Sequence, residues 1–226
     1  MDKVKNIRTE WLIVNIVGFE VGVILGVIAC IGAIAASTVL PFLNSDWSFG
    51  GIIGLIVGLL VGLLQYLMLR NRISISFPWL WVIAYTVGIP IGEMVATYAG
   101  FNPSPNPFAL MTLLLPWILG GLTMGIIIGG LQWITVRKNL PRSEIWIIWT
   151  IIASVVVIIF FSYPSIFYMG TNEGPSDSGF GILFGLIQFL MCIGSGLLAG
   201  LLYGLITWIP LRKLLKENVK ENKSPA

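Results

Sequence analysis

Glu20 and Glu93 stand inside long apolar runs of the chain, and nothing cationic accompanies them there. All 13 Lys and Arg residues fall in four short flanks: Lys3–Arg8, Arg70–Arg72, Arg137–Arg142 and Arg212–Lys223. A carboxyl group in hydrocarbon must be protonated, be hydrogen-bonded to polar neighbours, or face water in a cavity. Groups of this kind handle protons, ions and solutes, which makes Glu20 and Glu93 the foremost candidates for chemistry. Helical rise places them about 13 and 18 Å beyond Trp11 and Trp81, near the middle of a ~30 Å hydrocarbon core. They occupy nearly corresponding positions in two copies of an internal repeat, and the third copy has no carboxylate, so they suggest a site between two hairpins. The structural alternative is a protonated glutamic acid bonded to a backbone carbonyl or a glutamine.

A second polar set lies nearer the basic flanks. Asn15, Gln65 and Gln132 fall on small-residue stripes and therefore face protein and not lipid. They are candidates for binding a solute or ion, or for a layer of interhelical hydrogen bonds worth about 0.6 kcal/mol each.

Other chemistries find no residues. The chain has no histidine, which removes His-based triads, His–metal sites and histidine proton relays. It carries no phosphate-cradling glycine loop, and its ten acidic residues are too scattered for a divalent-metal centre. Cys30 and Cys192 are isolated from each other and suggest neither a disulfide nor a metal site. We therefore expect no catalytic residue, no metal and no cofactor, and a protein that is not an enzyme.

The elements that position these residues are apolar. Of 226 residues 57% are hydrophobic and 10% charged, a balance that fits a multi-pass membrane protein. Six spans are expected, at 11–40, 50–69, 78–98, 108–136, 145–162 and 181–209, the first retained and not cleaved as a leader. Basic flanks alternate with loops that carry only Asp46, Glu173 and Asp177 as charges. The positive-inside rule then puts both termini in the cytoplasm and the chain in the cell membrane. No contiguous basic patch points to nucleic acid; the expected partners are the lipid bilayer and either other membrane proteins or a second copy of the chain.

One signature recurs three times. Its copies are Gly54, Gly58, Gly62, Gln65, Tyr66, Arg70; then Gly121, Gly125, Gly129, Gln132, Trp133, Arg137; then Gly196, Gly200, Gly204, Thr207, Trp208, Arg212, with identical internal offsets. Trp11, Trp81 and Trp146 open the preceding spans, each followed four residues on by Asn15, Tyr85 or Thr150. The unit is a helical hairpin, with repeats near 11–72, 78–142 and 145–216 in one transmembrane domain spanning 1–226. Two spans per unit make the copies parallel, so we expect an all-α six-helix bundle with pseudo-threefold arrangement. Glycines four apart let backbones approach closely and serve as packing seams. Tyr66, Trp133 and Trp208, together with Trp11, Trp79, Trp81 and Trp146, are expected in the interfacial aromatic belt. Arg70, Arg137 and Arg212 are expected to reach lipid headgroups. Pro90 and Pro116 are expected to kink or interrupt their spans, and Pro210 to bend the last one.

In Gly62-x-x-Gln65-Tyr66-x-x-x-Arg70 and Gly129-x-x-Gln132-Trp133-x-x-x-Arg137 the chain resembles uncharacterised bacterial multi-pass membrane proteins with repeated G-x-x-Q-W-x-x-x-R hairpins. The third copy departs from the pattern at Thr207. The resemblance implies a membrane family and no activity. Two functions remain: binding or translocation of a small solute, ion or lipid through Glu20 and Glu93, or a non-catalytic scaffold in a membrane complex.

Overall fold

The computed structural model describes residues 2–36, 46–72, 77–100, 109–137, 143–169 and 180–221, with side chains described over narrower stretches. The expected loops at 102–107 and 170–179 and the Cys192 side chain lie outside the described residues. Six α-helices follow one another: α1 (Asp2–Ala36), α2 (Asp46–Leu69), α3 (Pro78–Gly100), α4 (Ala109–Val136), α5 (Glu144–Met169) and α6 (Phe180–Glu221). No strand occurs among the described residues. Five helices are long and apolar enough to cross a membrane, and the described apolar part of α5, Glu144–Ile159, is shorter.

Each helix packs on its neighbours in sequence, and α6 packs on α1, so the six close into a ring. Glycines make the seams. A Cβ on Gly22 would stand 2.7 Å from the Val57 Cα, so α1 meets α2 almost backbone to backbone. Gly54 would meet the Pro90 Cα at 2.8 Å, Gly121 the Val155 Cα at 2.5 Å, and Gly200 the Ile16 Cα at 2.7 Å. The repeated-signature glycines of α2, α4 and α6 thus face α3, α5 and α1. Those of α1 and α3, such as Gly22 and Gly92, face α2 and α4. In hydrocarbon, where apolar surface gains nothing by burial, such close approach supplies the packing energy.

The distribution of polarity is inside-out. Asn15, Gln65, Gln132, Thr150, Ser154 and Thr207 are fully buried, whereas Val17, Val21, Leu55, Leu59 and Leu63 stand exposed on the outer faces of α1 and α2. Water would not tolerate a continuous coat of exposed aliphatic side chains, and a bilayer does.

Between its two seams every odd helix turns one further face inward, in steps of four residues. On α1 this face is Trp11, Asn15, Phe19 and Val23; on α3, Trp81, Tyr85, Ile89 and Glu93; on α5, Trp146, Thr150, Ser154 and Ile158, all buried. The even helices contribute buried side chains at Val57, Val61, Gln65, Leu69 on α2 and at corresponding sites on α4 and α6. Ring contacts cross the bundle at these positions: Trp11 on Trp146 at 6.3 Å, Trp81 on Trp146 at 5.9 Å, and Tyr85 on Tyr203 at 5.9 Å between centroids. Trp11, Trp81, Trp146, Tyr85 and Tyr203 therefore meet at the ring axis.

Two expectations need correction. Trp11, Trp81 and Trp146 are not interfacial; they are at most 2% exposed and meet at the axis. Nor does Pro116 interrupt its span: α4 continues through it, as α3 does through Pro90 and α6 through Pro210. Packing of Gly54 against Pro90 shows how a neighbouring helix supports the bond-poor turn.

Candidate functional site

The axis nearest the basic flanks is occupied by an aromatic and amide layer. Each of the three central indoles donates to a polar side chain on an even helix. Trp11 Nε1 donates to Thr207 Oγ1 at 3.1 Å, Trp81 Nε1 to Gln65 Oε1 at 3.3 Å, and Trp146 Nε1 to Gln132 Oε1 at 2.6 Å. Every one of these bonds joins an odd helix to the even helix of a different hairpin. Gln65 Nε2 in turn donates to Asn15 Oδ1 at 2.7 Å, and Asn15 Nδ2 to the Trp11 carbonyl at 2.8 Å. One turn further along, the Tyr85 hydroxyl donates to the Tyr203 hydroxyl at 3.0 Å, with Phe19 packed on the Tyr203 ring.

Asn15 and Gln65 are thus engaged by protein partners. Gln132 is only half engaged, since its buried Nε2 has no hydrogen-bond partner. Thr150 and Thr207 return their hydroxyls to the Trp146 and Tyr203 carbonyls, at 2.8 and 2.6 Å. Three indoles, two tyrosines and these amides thus meet around the axis.

Glu20 and Glu93 do not share a site. Glu20 lies on the α1–α6 seam, where a Cβ at Gly196 would stand 2.9 Å from its Oε2. That oxygen is buried without a hydrogen-bond partner, while the Leu197 main chain interacts with the carboxyl group. Glu93 lies instead where α3 meets α2, 8% exposed, beside Gly50. Among the described residues no side chain or backbone N–H donates to its carboxyl group; Thr97 Oγ1 bonds only its carbonyl, at 2.8 Å. Seam pairings order the two by depth. Gly22 and Gly26 of α1 meet Val57 and Ile53 of α2, whereas Glu93 lies level with Gly50. By helical rise from Trp11 and Trp81, Glu93 is about 5 Å farther from the indole layer than Glu20.

Ser154 and Tyr203 were not singled out by sequence reasoning. Ser154 occupies the axial face of α5 one turn beyond Thr150, is fully buried, and its Oγ has no partner. The signal was present in the four-residue step Trp146, Thr150, Ser154, and in Tyr203 four residues before Thr207.

At the basic end Arg70, Arg137 and Arg212 are exposed, and the Arg137 guanidinium lies 5.0 Å over the Trp133 ring. The Trp133 Nε1 is buried without a partner. Tyr66 is half-buried, while Trp208 is buried against the core and does not stand out from the bundle. Arg72 pairs with Glu10, tying the turn after α2 to α1.

Fold and site together define an all-helical ring with a lipid-compatible exterior, a polar-aromatic layer at its axis and a buried carboxyl group beyond it. No protein-family model, no curated protein and no solved structure matches the chain. Among the described residues no three His, Cys, Asp or Glu side chains come together as a metal site.

Proposed function

We propose that this chain is a multi-pass cell-membrane protein that binds or translocates a small solute, ion or lipid, with Glu93 at the centre of its site. The three hairpins stand parallel around a pseudo-threefold axis, and the basic flanks with both termini lie in the cytoplasm. Arg70, Arg137 and Arg212 meet lipid headgroups there. The observation that carries the function is the placement of Glu93: nine-tenths buried between α3 and α2, with no donor to its carboxyl group among the described residues. A group so costly to bury is retained where it is used. Pro90, one turn before it, marks the kind of bond-poor helix that lines membrane sites.

The aromatic layer separates Glu93 from the basic end, so the site opens toward the opposite side and passage across the membrane requires the indole–amide layer to rearrange. Glu20, on an outer seam, takes a secondary role at the α1–α6 contact.

Cysteine accessibility tests the proposal. In a chain with Cys30 and Cys192 replaced by serine, Glu93→Cys should react with a membrane-impermeant thiol reagent added on the side opposite the basic flanks. Protection from both sides, while Trp79→Cys reacts, would place Glu93 in a dry contact and favour the scaffold function.

A further inference from the structure

We propose that Glu20 is a proton-binding carboxyl group that faces the lipid at the α1–α6 seam. The site is separate from Glu93 and rests on the bilayer placement of the ring given above. One oxygen of Glu20 sits inside the seam: Oε2 is buried without a hydrogen-bond partner, and a Cβ at Gly196 would stand 2.9 Å from it. The residue as a whole is only half-buried. Its outer neighbours on α1, Val17 and Val21, are exposed, as is Leu197 on α6, whose main chain meets the Glu20 carboxyl group. Glu20 therefore stands at the rim of the seam among aliphatic side chains. Its depth, about 13 Å beyond Trp11 by helical rise, keeps it within the hydrocarbon.

The surroundings decide the charge state. From Trp11 to Ala36 no other residue of α1 is charged, and α2 from Trp47 to Leu69 and α6 from Phe180 to Leu211 carry no charge at all. The other titratable residues of these three spans are Cys30, Tyr66, Cys192 and Tyr203, thiols and phenols that are uncharged at neutral pH. An ionised Glu20 would have no counter-ion, and one of its oxygens no donor. It would also lie between helices whose backbones nearly touch one turn away, where a Cβ at Gly200 would stand 2.7 Å from the Ile16 Cα. Binding one proton removes the charge, so the closed seam selects the neutral acid. Loss of that proton would part α1 from α6, which links proton release to the closure of the ring.

An apolar carbodiimide reports this state, because its reaction needs a protonated acid that is reached from lipid. The carboxyl proton passes to one carbodiimide nitrogen while the carboxylate oxygen adds to the central carbon, breaking one C=N π bond. The O-acylisourea then rearranges by O-to-N acyl transfer to a stable N-acylurea. Nothing leaves, so the modified peptide gains the mass of the whole reagent.

The test treats the full-length wild type in lipid vesicles with dicyclohexylcarbodiimide at pH 6 and pH 7 and maps the adducts by peptide mass spectrometry. Glu10, on the same helix in the partly exposed pair with Arg72, is the internal control. Glu20 is expected to carry at least about tenfold more adduct than Glu10, because a carboxyl group in water, with a pKa of about 4.3, is ionised at both pH values. The Glu20 yield should change less than about twofold between them, whereas a carboxyl group in water loses about tenfold per pH unit. With a water-soluble carbodiimide and glycine amide the order of the two residues should reverse. No adduct at Glu20, equal adduct at both residues, or a Glu20 yield that falls about tenfold from pH 6 to pH 7 would overturn the assignment. Preferential labelling of Glu20 by the water-soluble reagent would overturn it too. An unlabelled Glu20 beside a Glu93→Cys that reacts from one side would refute the proton site and leave the solute-handling function standing.

Discussion

Adding one methyl group at two glycines of α4 separates seam packing from helix propensity. Gly125 faces α5, and a Cβ there would stand 2.5 Å from the Ile151 Cα and 3.1 Å from its backbone nitrogen. Gly130, five residues on, has nothing within 4 Å of such a Cβ. Both sites are helical, so Gly→Ala gains about 0.8–1 kcal/mol of propensity at each. At Gly130 this gain stands alone, and the variant is expected to be more stable than wild type. At Gly125 the obstacle is backbone, which no rotamer change moves aside. Carbon contacts are comfortable near 3.5 Å, so α4 and α5 must separate by about 1 Å. Overpacking of this kind costs about 1–3 kcal/mol. The two variants should therefore differ by about 1–3 kcal/mol, with Gly125→Ala the weaker. Unfolding in mixed micelles, followed by intrinsic fluorescence of the nine tryptophans, reads the difference directly. Equal midpoints for Gly125→Ala and Gly130→Ala would refute the backbone-to-backbone α4–α5 seam.

Three further outcomes follow from the axis and the basic end. Trp146→Phe removes the donor to Gln132 Oε1 and leaves a second buried amide atom unpaired, so it should cost about 1–3 kcal/mol, while Trp79→Phe at an indole 58% exposed should be silent in the same unfolding assay. A double-mutant cycle of Tyr85→Phe and Tyr203→Phe should return a coupling of about 0.6 kcal/mol for their hydroxyl bond; a coupling of zero would mean the pair does not form. Glu10→Gln should cost no more than about 1 kcal/mol, and less in high salt, because its pairing with Arg72 is partly exposed.

Much of the architecture is legible in the residues. The glycine stripes predict the seams, because four-residue steps keep one face of a helix toward its neighbour. The same wheel places Gln65, Gln132 and Thr207 against protein, where they are found. Trp11, Trp81 and Trp146 mislead because a tryptophan near a helix end beside a basic flank has the composition of an interfacial anchor. Only the partner on another helix distinguishes it: an indole N–H that finds an amide oxygen tolerates full burial. Glu20 and Glu93 mislead differently. Glu20 stands nine residues after Trp11 and Glu93 twelve after Trp81. They fall on different helix contacts, Glu20 against Gly196 of α6 and Glu93 beside Gly50 of α2, which one helix's own sequence does not carry. Ser154 carries no signal alone, since a lone serine in an apolar run resembles any small packing residue; its burial without a partner is a property of the assembled ring.

The axis exists only if the last helix closes on the first. Leu12 and Gly204 mark that closure, since a Cβ at Gly204 would stand 3.1 Å from Leu12 Cδ2. A chain lacking Cys30 and Cys192 and carrying Leu12→Cys, Gly204→Cys and a protease site inserted at 170–179 reports on it. After treatment with a short bifunctional thiol reagent in membranes and then protease, the two fragments should remain joined as one species of monomer mass. Fragments that separate fully, or join only between different chains, would contradict the ring and with it the indole–amide layer at its axis.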